Sequence, residues 1–202
     1  MLVITRSYPP LQENKNAILN LHNKLRARVA NGEESGQPKA ANMNKLIWSD
    51  ELAKIAQRWA DQCPSHHDVN RKSPDFPSEP GQNLADSWSS VNSFDYNLAD
   101  RIQSWYEEVK DWPASNVDSF TSSGATGTVG HFTQVVWADT RYIGCGAIYY
   151  KDTNPNVAKY PYRKTLVCNY YPAGNWLGRP VYITGDPGSK CASGKSENGL
   201  CI

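Results

Sequence analysis

Apolar residues recur at steps of three and four along residues 13–30, where Ile18, Leu21, Leu25 and Val29 fall on one face of an amphipathic helix. Gly32 and the Gly36-Gln37-Pro38 segment stop it. A second period follows Ser49-Asp50, a pair suited to capping a helix, and its stripe of Leu52, Ile55, Ala56 and Trp59 runs out near Cys63. Residues 64–94 are rich in Pro, Ser, Asp and Asn and read as one long irregular segment. Loops of that length are usually functional or ordered by something else. A third helix is predicted from about Tyr96 to Lys110, with Leu98, Ile102, Trp105 and Val109 inward. Tyr142 to Tyr150 and Thr165 to Tyr171 are β-rich runs joined by a polar, Pro-containing connection, as antiparallel strands would be. After Val181-Tyr182-Ile183 the chain turns to Gly, Ser, Asp and Lys, and from about Gly185 it reads as a small cysteine-stapled appendage. Helices come first, then a helix and strands, without repeated βαβ units or internal repeats. The order predicts an α+β fold with an antiparallel sheet covered by helices.

Composition narrows the class. In 202 residues, 21 Lys and Arg offset 20 Asp and Glu, so the formal charge is +1. Nucleic-acid binding, which leaves a clustered basic excess, gains no support. Seven Trp and eleven Tyr exclude a disordered chain. No apolar run approaches the roughly 18 residues of a membrane span. Five cysteines (Cys63, Cys145, Cys168, Cys191 and Cys201) contain no C-x-x-C pair, which argues against a ribbon-type zinc site or a thioredoxin-like centre. Their concentration in turn-rich and strand-like sequence towards the C-terminus suits disulfides in a secreted protein. The first ten residues hold no apolar stretch long enough for a signal peptide; either an export signal has been removed and a Met added, or the start is incomplete. No N-glycosylation sequon is present.

The usual catalytic signatures are missing: no G-x-S-x-G elbow, no H-E-x-x-H, no phosphate-binding Gly loop. Four histidines remain. His22 sits beside the apolar stripe of the first helix and reads as structural. His66 and His67 lie in the irregular segment, and His131 follows the Gly-rich stretch 124–130. Two histidines from separate segments with nearby carboxylates suit zinc or copper, although by spacing alone this is weak.

The stretch Gly130-His131-Phe132-Thr133-Gln134-Val135-Val136-Trp137-Ala138-Asp139-Thr140 resembles the signature of the CAP superfamily, which groups cysteine-rich secretory proteins, antigen-five allergens and pathogenesis-related proteins. Other blocks agree in order. They are His22 to Arg26, Trp48 to Ala53, Ala56 to Cys63, Gly81-Gln82-Asn83-Leu84, Trp105 to Lys110, Gly144-Cys145-Gly146 and Cys168 to Asn175. The match is most similar to antigen-five-like venom or salivary proteins of arthropods, and the ending Cys191 to Cys201 resembles the short tail of some venom members.

The resemblance implies a three-layer α-β-α sandwich, divided here as an N-terminal extension (1–12), the CAP domain (13–184) and a short tail (185–202). It also implies a cleft bearing two histidines and two acids. Carried over, the histidines are His67, whose His67-Asp68-Val69-Asn70-Arg71 matches the family spacing, and His131. The second acid is Glu108. Helix geometry agrees, since Glu108 lies roughly 90° off the centre of the third helix's stripe and Glu107 roughly 170° off. The first acid position holds Gln82, which cannot ionise and so cannot act as a general base or anionic ligand. Weak zinc or copper binding that fades below about pH 6.5 is one expectation, and a purely structural polar network is the other. Cys145 with Cys168 matches a family pair, Cys191 with Cys201 is a local bridge, and Cys63 is left over. Functionally, the resemblance implies a secreted, non-enzymatic protein that binds a host protein target or a small lipid. The alternatives are a metal-dependent hydrolase or copper-dependent redox enzyme at the His/Glu cleft, and a sterol or fatty-acid carrier grooved between the helices. A monomer is the favoured state.

Overall fold

The fold was described from a computed structural model, which covers residues 2–8, 12–92 and 97–202, with the backbone alone at 2–8 and at 12 and 13. Its frame is a sheet of five strands: β1 (Leu2–Tyr8), β2 (Ile47–Trp48), β3 (Gly81–Ser89), β4 (Tyr142–Asp152) and β5 (Tyr162–Tyr171). The long path runs β1-β4-β5-β3 and is antiparallel throughout, while the two-residue β2 pairs parallel with the start of β4. The sheet is therefore mixed by that one short strand. Helices α1 (Gln12–Ala30), α3 (Leu98–Tyr106) and α4 (Gly130–Val135) cover one face, and α2 (Asp50–Ala60) covers the other.

Strand alternation explains this division. On β4 and β5, Ile143, Cys145, Ala147, Leu166, Cys168 and Tyr170 join Ile18, Leu25, Val29, Ile102, Trp105 and Phe132 in the larger core. The intervening Ile148, Tyr150 and Val167 meet Ala56 and Ala60 of α2. Helix α2 lies so close that a Cβ on Gly144 would stand 2.2 Å from the Ala53 nitrogen, and one on Gly146 would stand 2.4 Å from Gln57 backbone. Ser49 caps this helix through its Oγ, which accepts from the Leu52 N–H at 3.2 Å.

The elements differ in places from those the sequence suggests. The segment 64–94 contains the nine-residue strand β3. Its run of Gln, Asn, Asp and Ser lacks the apolar alternation that signals a strand, and it is held instead by full pairing with β5 and by polar cross-strand contacts. The third helix stops at Tyr106 and tightens into a 3-10 turn over Glu107–Asp111, while its expected beginning at Tyr96 lies outside the described residues. Helix α4 is six residues long, too short to show a period. Part of the expected N-terminal extension supplies β1, paired to β4. The tail is tied to the body, with Leu200 inside the larger core and the Lys45 N–H donating to the Cys201 carbonyl.

Two disulfides join Cys145 to Cys168, directly opposite on β4 and β5, and Cys191, which precedes the hairpin of β6 (Ser196–Glu197) and β7 (Leu200–Cys201), to Cys201 on β7. Cys63 is free. Burial pushes its thiol up to about 11, reinforced by Asp61 and Asp152, so the protonated thiol is the form favoured at neutral pH.

Candidate functional site

Helix α4 is fixed at its start by Glu108, which the 3-10 turn after α3 carries inward. Glu108 Oε2 accepts the backbone N–H groups of His131 (3.0 Å) and Phe132 (3.1 Å), and Oε1 accepts from His131 Nδ1 at 2.6 Å. One carboxylate thus caps two orphan donors of the helix and orients the imidazole. Glu107 points away, half-exposed beside Lys110. The Trp105 ring stacks on the His131 imidazole, centroids 6.0 Å apart and planes 19° apart, and its indole N–H donates to the Leu84 carbonyl.

Each following residue of the α4 motif has a separate anchor. Phe132 packs edge-on against Tyr106, Thr133 donates to Asn175 Oδ1 (2.7 Å), and Gln134 bridges the Gly174 N–H and the Thr140 hydroxyl. Asn175, in the left-handed region at φ 61°, returns a hydrogen bond to the Gly130 carbonyl. A Cβ on Gly81 would fall 2.0 Å from Gln134 Oε1, so the glycine there admits the glutamine between strand and helix.

Behind α4 runs a buried chain of polar groups. His22 Nδ1 donates to the Ile18 carbonyl (2.8 Å), which leaves Nε2 to accept from the Tyr170 hydroxyl (2.9 Å). Asn83 Nδ2 lies 3.4 Å from that hydroxyl and donates to the His131 carbonyl at 3.1 Å. Burial draws the His22 pKa down to about 4, so it is neutral and structural. Arg26, fully buried, aims its guanidinium at the carbonyls of Asn44, Val135, Trp137, Ala138 and Thr140. Burial lowers its pKa to about 9, so the cation persists at neutral pH.

The other two expected residues pair elsewhere. Gln82 and Asn83 are neighbours on β3 and point to opposite faces of the sheet; Gln82 takes the α2 side. Its Oε1 accepts from His67 Nδ1 (3.0 Å) and from the Asp68 N–H (3.0 Å), and its Nε2 donates to Asn169 Oδ1 at 2.9 Å. Asn169 Nδ2 in turn reaches the Leu52 carbonyl of α2 at 3.4 Å. The loop carrying His67 is pinned by buried Asp68, which accepts from Arg58, and by Arg71, whose guanidinium donates to the Asp68 and Pro80 carbonyls.

The four expected site residues therefore form two hydrogen-bonded pairs, His67 with Gln82 and His131 with Glu108. Each imidazole is pinned through Nδ1, which leaves its Nε2 as the free ring nitrogen. Among the described residues no group of three or more His, Cys, Asp and Glu side chains is spaced to hold a metal ion. Among the described residues, the hydrogen bonds and ring contacts of His67 and His131 include no serine, threonine or cysteine nucleophile. Sequence reasoning missed Asn83, Asn169 and Asn175. The usable signal was a lone amide inside an otherwise apolar or aromatic run, as in Cys168-Asn169-Tyr170, since a buried amide must be bonded to something.

Residues 19–170 match the profile of the "Cysteine-rich secretory protein family". The chain is 41% identical to "Scoloptoxin SSD976" of Scolopendra dehaani over 93% of its own length and 83% of the toxin's. It is 42% identical to "Venom allergen 5" of Polistes dominula, covering 89% of this chain and 76% of the allergen. Among solved structures it is similar to a crystal structure of NaASP2 with Zn2+, at a TM-score of 0.73 and 30% identity, covering 95% of this chain and 96% of that one. BmVAL-1 is similar too, at a TM-score of 0.73 and 29% identity, with 95% of each chain covered.

Proposed function

The chain belongs to the CAP family of cysteine-rich secretory proteins, and on that premise we propose that it is a secreted, venom-type protein acting by binding rather than catalysis. Its ligand is a host protein or a small lipid. The observation that carries the reading is the commitment of the histidines. His131 is bonded to Glu108 and stacked on Trp105, His67 is bonded to an amide, and neither faces a hydroxyl or thiol that it would activate. Disulfides, and the absence among the described residues of any helix long and apolar enough to cross a membrane, agree with export. The test is turnover. Purified protein screened on peptide and ester substrates is expected to show none above background, and a robust rate abolished by His131→Ala would overturn the reading.

A second reading has its own support. A histidine whose Nδ1–H is held by an oxygen acceptor presents Nε2 as a metal ligand, which is how metal-bound imidazoles are oriented. Both histidines meet that condition. His67 and His131 would then hold zinc or copper through Nε2, with Glu108 and Gln82 fixing the rings. The residues fit such an ion only as a two-imidazole site, because Glu108 already accepts three N–H groups from His131 and Phe132, on the Nδ1 side of the imidazole, and Gln82 brings no charge. Such an ion would act as a Lewis acid or a redox centre when bound. Titration calorimetry with zinc and copper at pH 7.5 and 5.5 is expected to show weak, saturable binding at the higher pH alone. That binding should vanish in the His67→Ala, His131→Ala double variant, and its persistence there would remove the metal reading.

A further inference from the structure

The chain carries two Asn-Gly pairs, Asn31-Gly32 and Asn198-Gly199, and the fold sets one against the other. Asn31 Nδ2 donates to the Asn198 carbonyl at 3.3 Å, and a Cβ on Gly199 would stand 2.4 Å from Asn31 Oδ1. The two pairs are in opposite states. At the end of α1 the Asn31 N–H donates to the Ala27 carbonyl (2.9 Å) and the Gly32 N–H to the Val29 carbonyl (3.0 Å). Asn198 and Gly199 instead form the two-residue turn between β6 and β7. Their φ values of 50° and 76° are both left-handed, as a type I′ hairpin turn requires. Asn198 is exposed. Among the described residues its carboxamide makes no hydrogen bond, and the Gly199 N–H reaches no acceptor.

The difference bears on one reaction, attack on an asparagine side chain by the backbone nitrogen that follows it. At Gly32 that nitrogen is tied into the helix end. At Gly199 it is free, with no side chain to shield it. The carbonyl of the same peptide unit accepts from Asn31 Nδ2, which supports the negative charge that gathers on the oxygen as the N–H is lost.

We propose that Asn198 is a self-modification site, converted to aspartate and isoaspartate by the Gly199 nitrogen and water. The nitrogen bonds to Asn198 Cγ, the Cγ–Nδ2 bond breaks, and ammonia leaves with the proton from the Gly199 N–H. Water then opens the resulting succinimide. Cleavage of the nitrogen–Cγ bond gives aspartate, and cleavage at the backbone carbonyl gives isoaspartate. Isoaspartate routes the main chain through Cβ and Cγ and so adds a methylene to a two-residue turn. The register leaves no slack for it. Glu197 faces Leu200 and Ser196 faces Cys201, Leu200 is 3% exposed within the larger core, and Cys201 is bonded to Cys191. The isoaspartyl product therefore loosens the tail's hold on the body, whereas aspartate leaves the main chain unaltered. This chemistry stands apart from the binding reading and needs no ligand.

Trypsin separates the two pairs, onto peptides 29–39 and 196–202, once the disulfides are reduced. The protein is held at pH 8.5, folded and in urea. Mass spectrometry and isoaspartyl methyltransferase labelling then read the acid and the isoaspartate on each peptide. In urea both pairs are expected to react alike. In the fold, Asn31 should react about tenfold more slowly than Asn198, because Gly32 must first give up a hydrogen bond. Asn198→Gln should remove the signal from 196–202. A folded-state rate at Asn198 no faster than at Asn31 overturns the proposal. Hydrogen exchange at the Lys45 N–H, which donates to the Cys201 carbonyl at 2.9 Å, reads the consequence. It should quicken in aged wild type and stay unchanged in fresh Asn198→Asp. Equal protection in aged and fresh wild type would refute the loosening.

Discussion

Replacing Arg26 by methionine tests whether the buried cation holds the α4 region in place. The guanidinium makes six hydrogen bonds of 2.6–3.3 Å to five carbonyl oxygens and has no carboxylate partner within ion-pair distance among the described residues. The Trp137 carbonyl also accepts from the Thr140 N–H, and the Ala138 carbonyl from Asn44, so both keep a donor when the arginine goes. The carbonyls of Asn44, Val135 and Thr140 are left without another donor among the described residues. Each orphaned buried acceptor costs about 1–3 kcal/mol, and some relaxation or water entry is expected, so the loss should be about 4 kcal/mol. That is a large share of a typical domain's 5–15 kcal/mol, roughly. Urea unfolding followed by tryptophan fluorescence reads it directly. Arg26→Lys should fall between, at about 2 kcal/mol, because an ammonium has three donors and no planar fork to span loops 42–46 and 135–140. An Arg26→Met protein within about 1 kcal/mol of wild type at an unchanged m-value would refute the reasoning, and a lysine variant as stable as wild type would refute the part that depends on the fork.

Other expectations follow from single groups. His22 is neutral in the fold with its pKa lowered to about 4, while the unfolded chain protonates near pH 6.5; stability is fully present above 6.5 and lost as pH falls towards 4, by about 3 kcal/mol in all. His22→Gln should flatten that part of the urea-midpoint profile against pH, and an unchanged slope would assign it to other groups. Gly144→Ala would drive a methyl into the backbone of Ser49, Leu52 and Ala53, and thermal unfolding should report a loss of about 3 kcal/mol. Gln82→Glu should cost about 1–2 kcal/mol at pH 7.5 and recover most of it as the new carboxyl protonates, read by the same urea titration at two pH values.

The three long helices were legible because each buries a stripe of conventional apolar residues, and β4 and β5 because both faces of those central strands are covered. What escaped has one physical character. Strand β3 is stabilised by side chains that a pattern search counts as loop formers: Asn83 bonded to His131, Asp86 to Thr165, Gln82 to Asn169. Arg26 occupies the apolar face of α1 at helical spacing, and nothing local says that a cation there is buried; His22 on the same helix already read as structural. Only the distant segments that satisfy them, 135–140 for Arg26 and Tyr170 for His22, make burial affordable. The site residues were reached through resemblance rather than periodicity. The choice of Glu108 over Glu107 was legible from the stripe of the third helix, although Glu108 itself stands on the 3-10 turn that follows α3.

Hydrogen-bond direction gives Gln82 a reason that charge does not. The Leu52 carbonyl at the N-terminal half of α2 accepts from Asn169 Nδ2, which turns Asn169 Oδ1 towards position 82. That position must therefore donate on one side and, facing His67 Nδ1 and the Asp68 N–H, accept on the other. An amide does both; an ionised carboxylate offers acceptors only and would confront Asn169 Oδ1 with a second oxygen. Flipping Asn169 moves the conflict to the Leu52 carbonyl without removing it. The His131 side has the opposite requirement, three N–H groups converging on Glu108 with no acceptor to answer, and there a carboxylate is the better partner. The two imidazoles are thus held by different groups because the backbone around them differs in polarity. His131 carries a fixed anion behind it, and His67 does not. Any cation drawn to this region should therefore meet the stronger ligand at His131, with His67 as the weaker second.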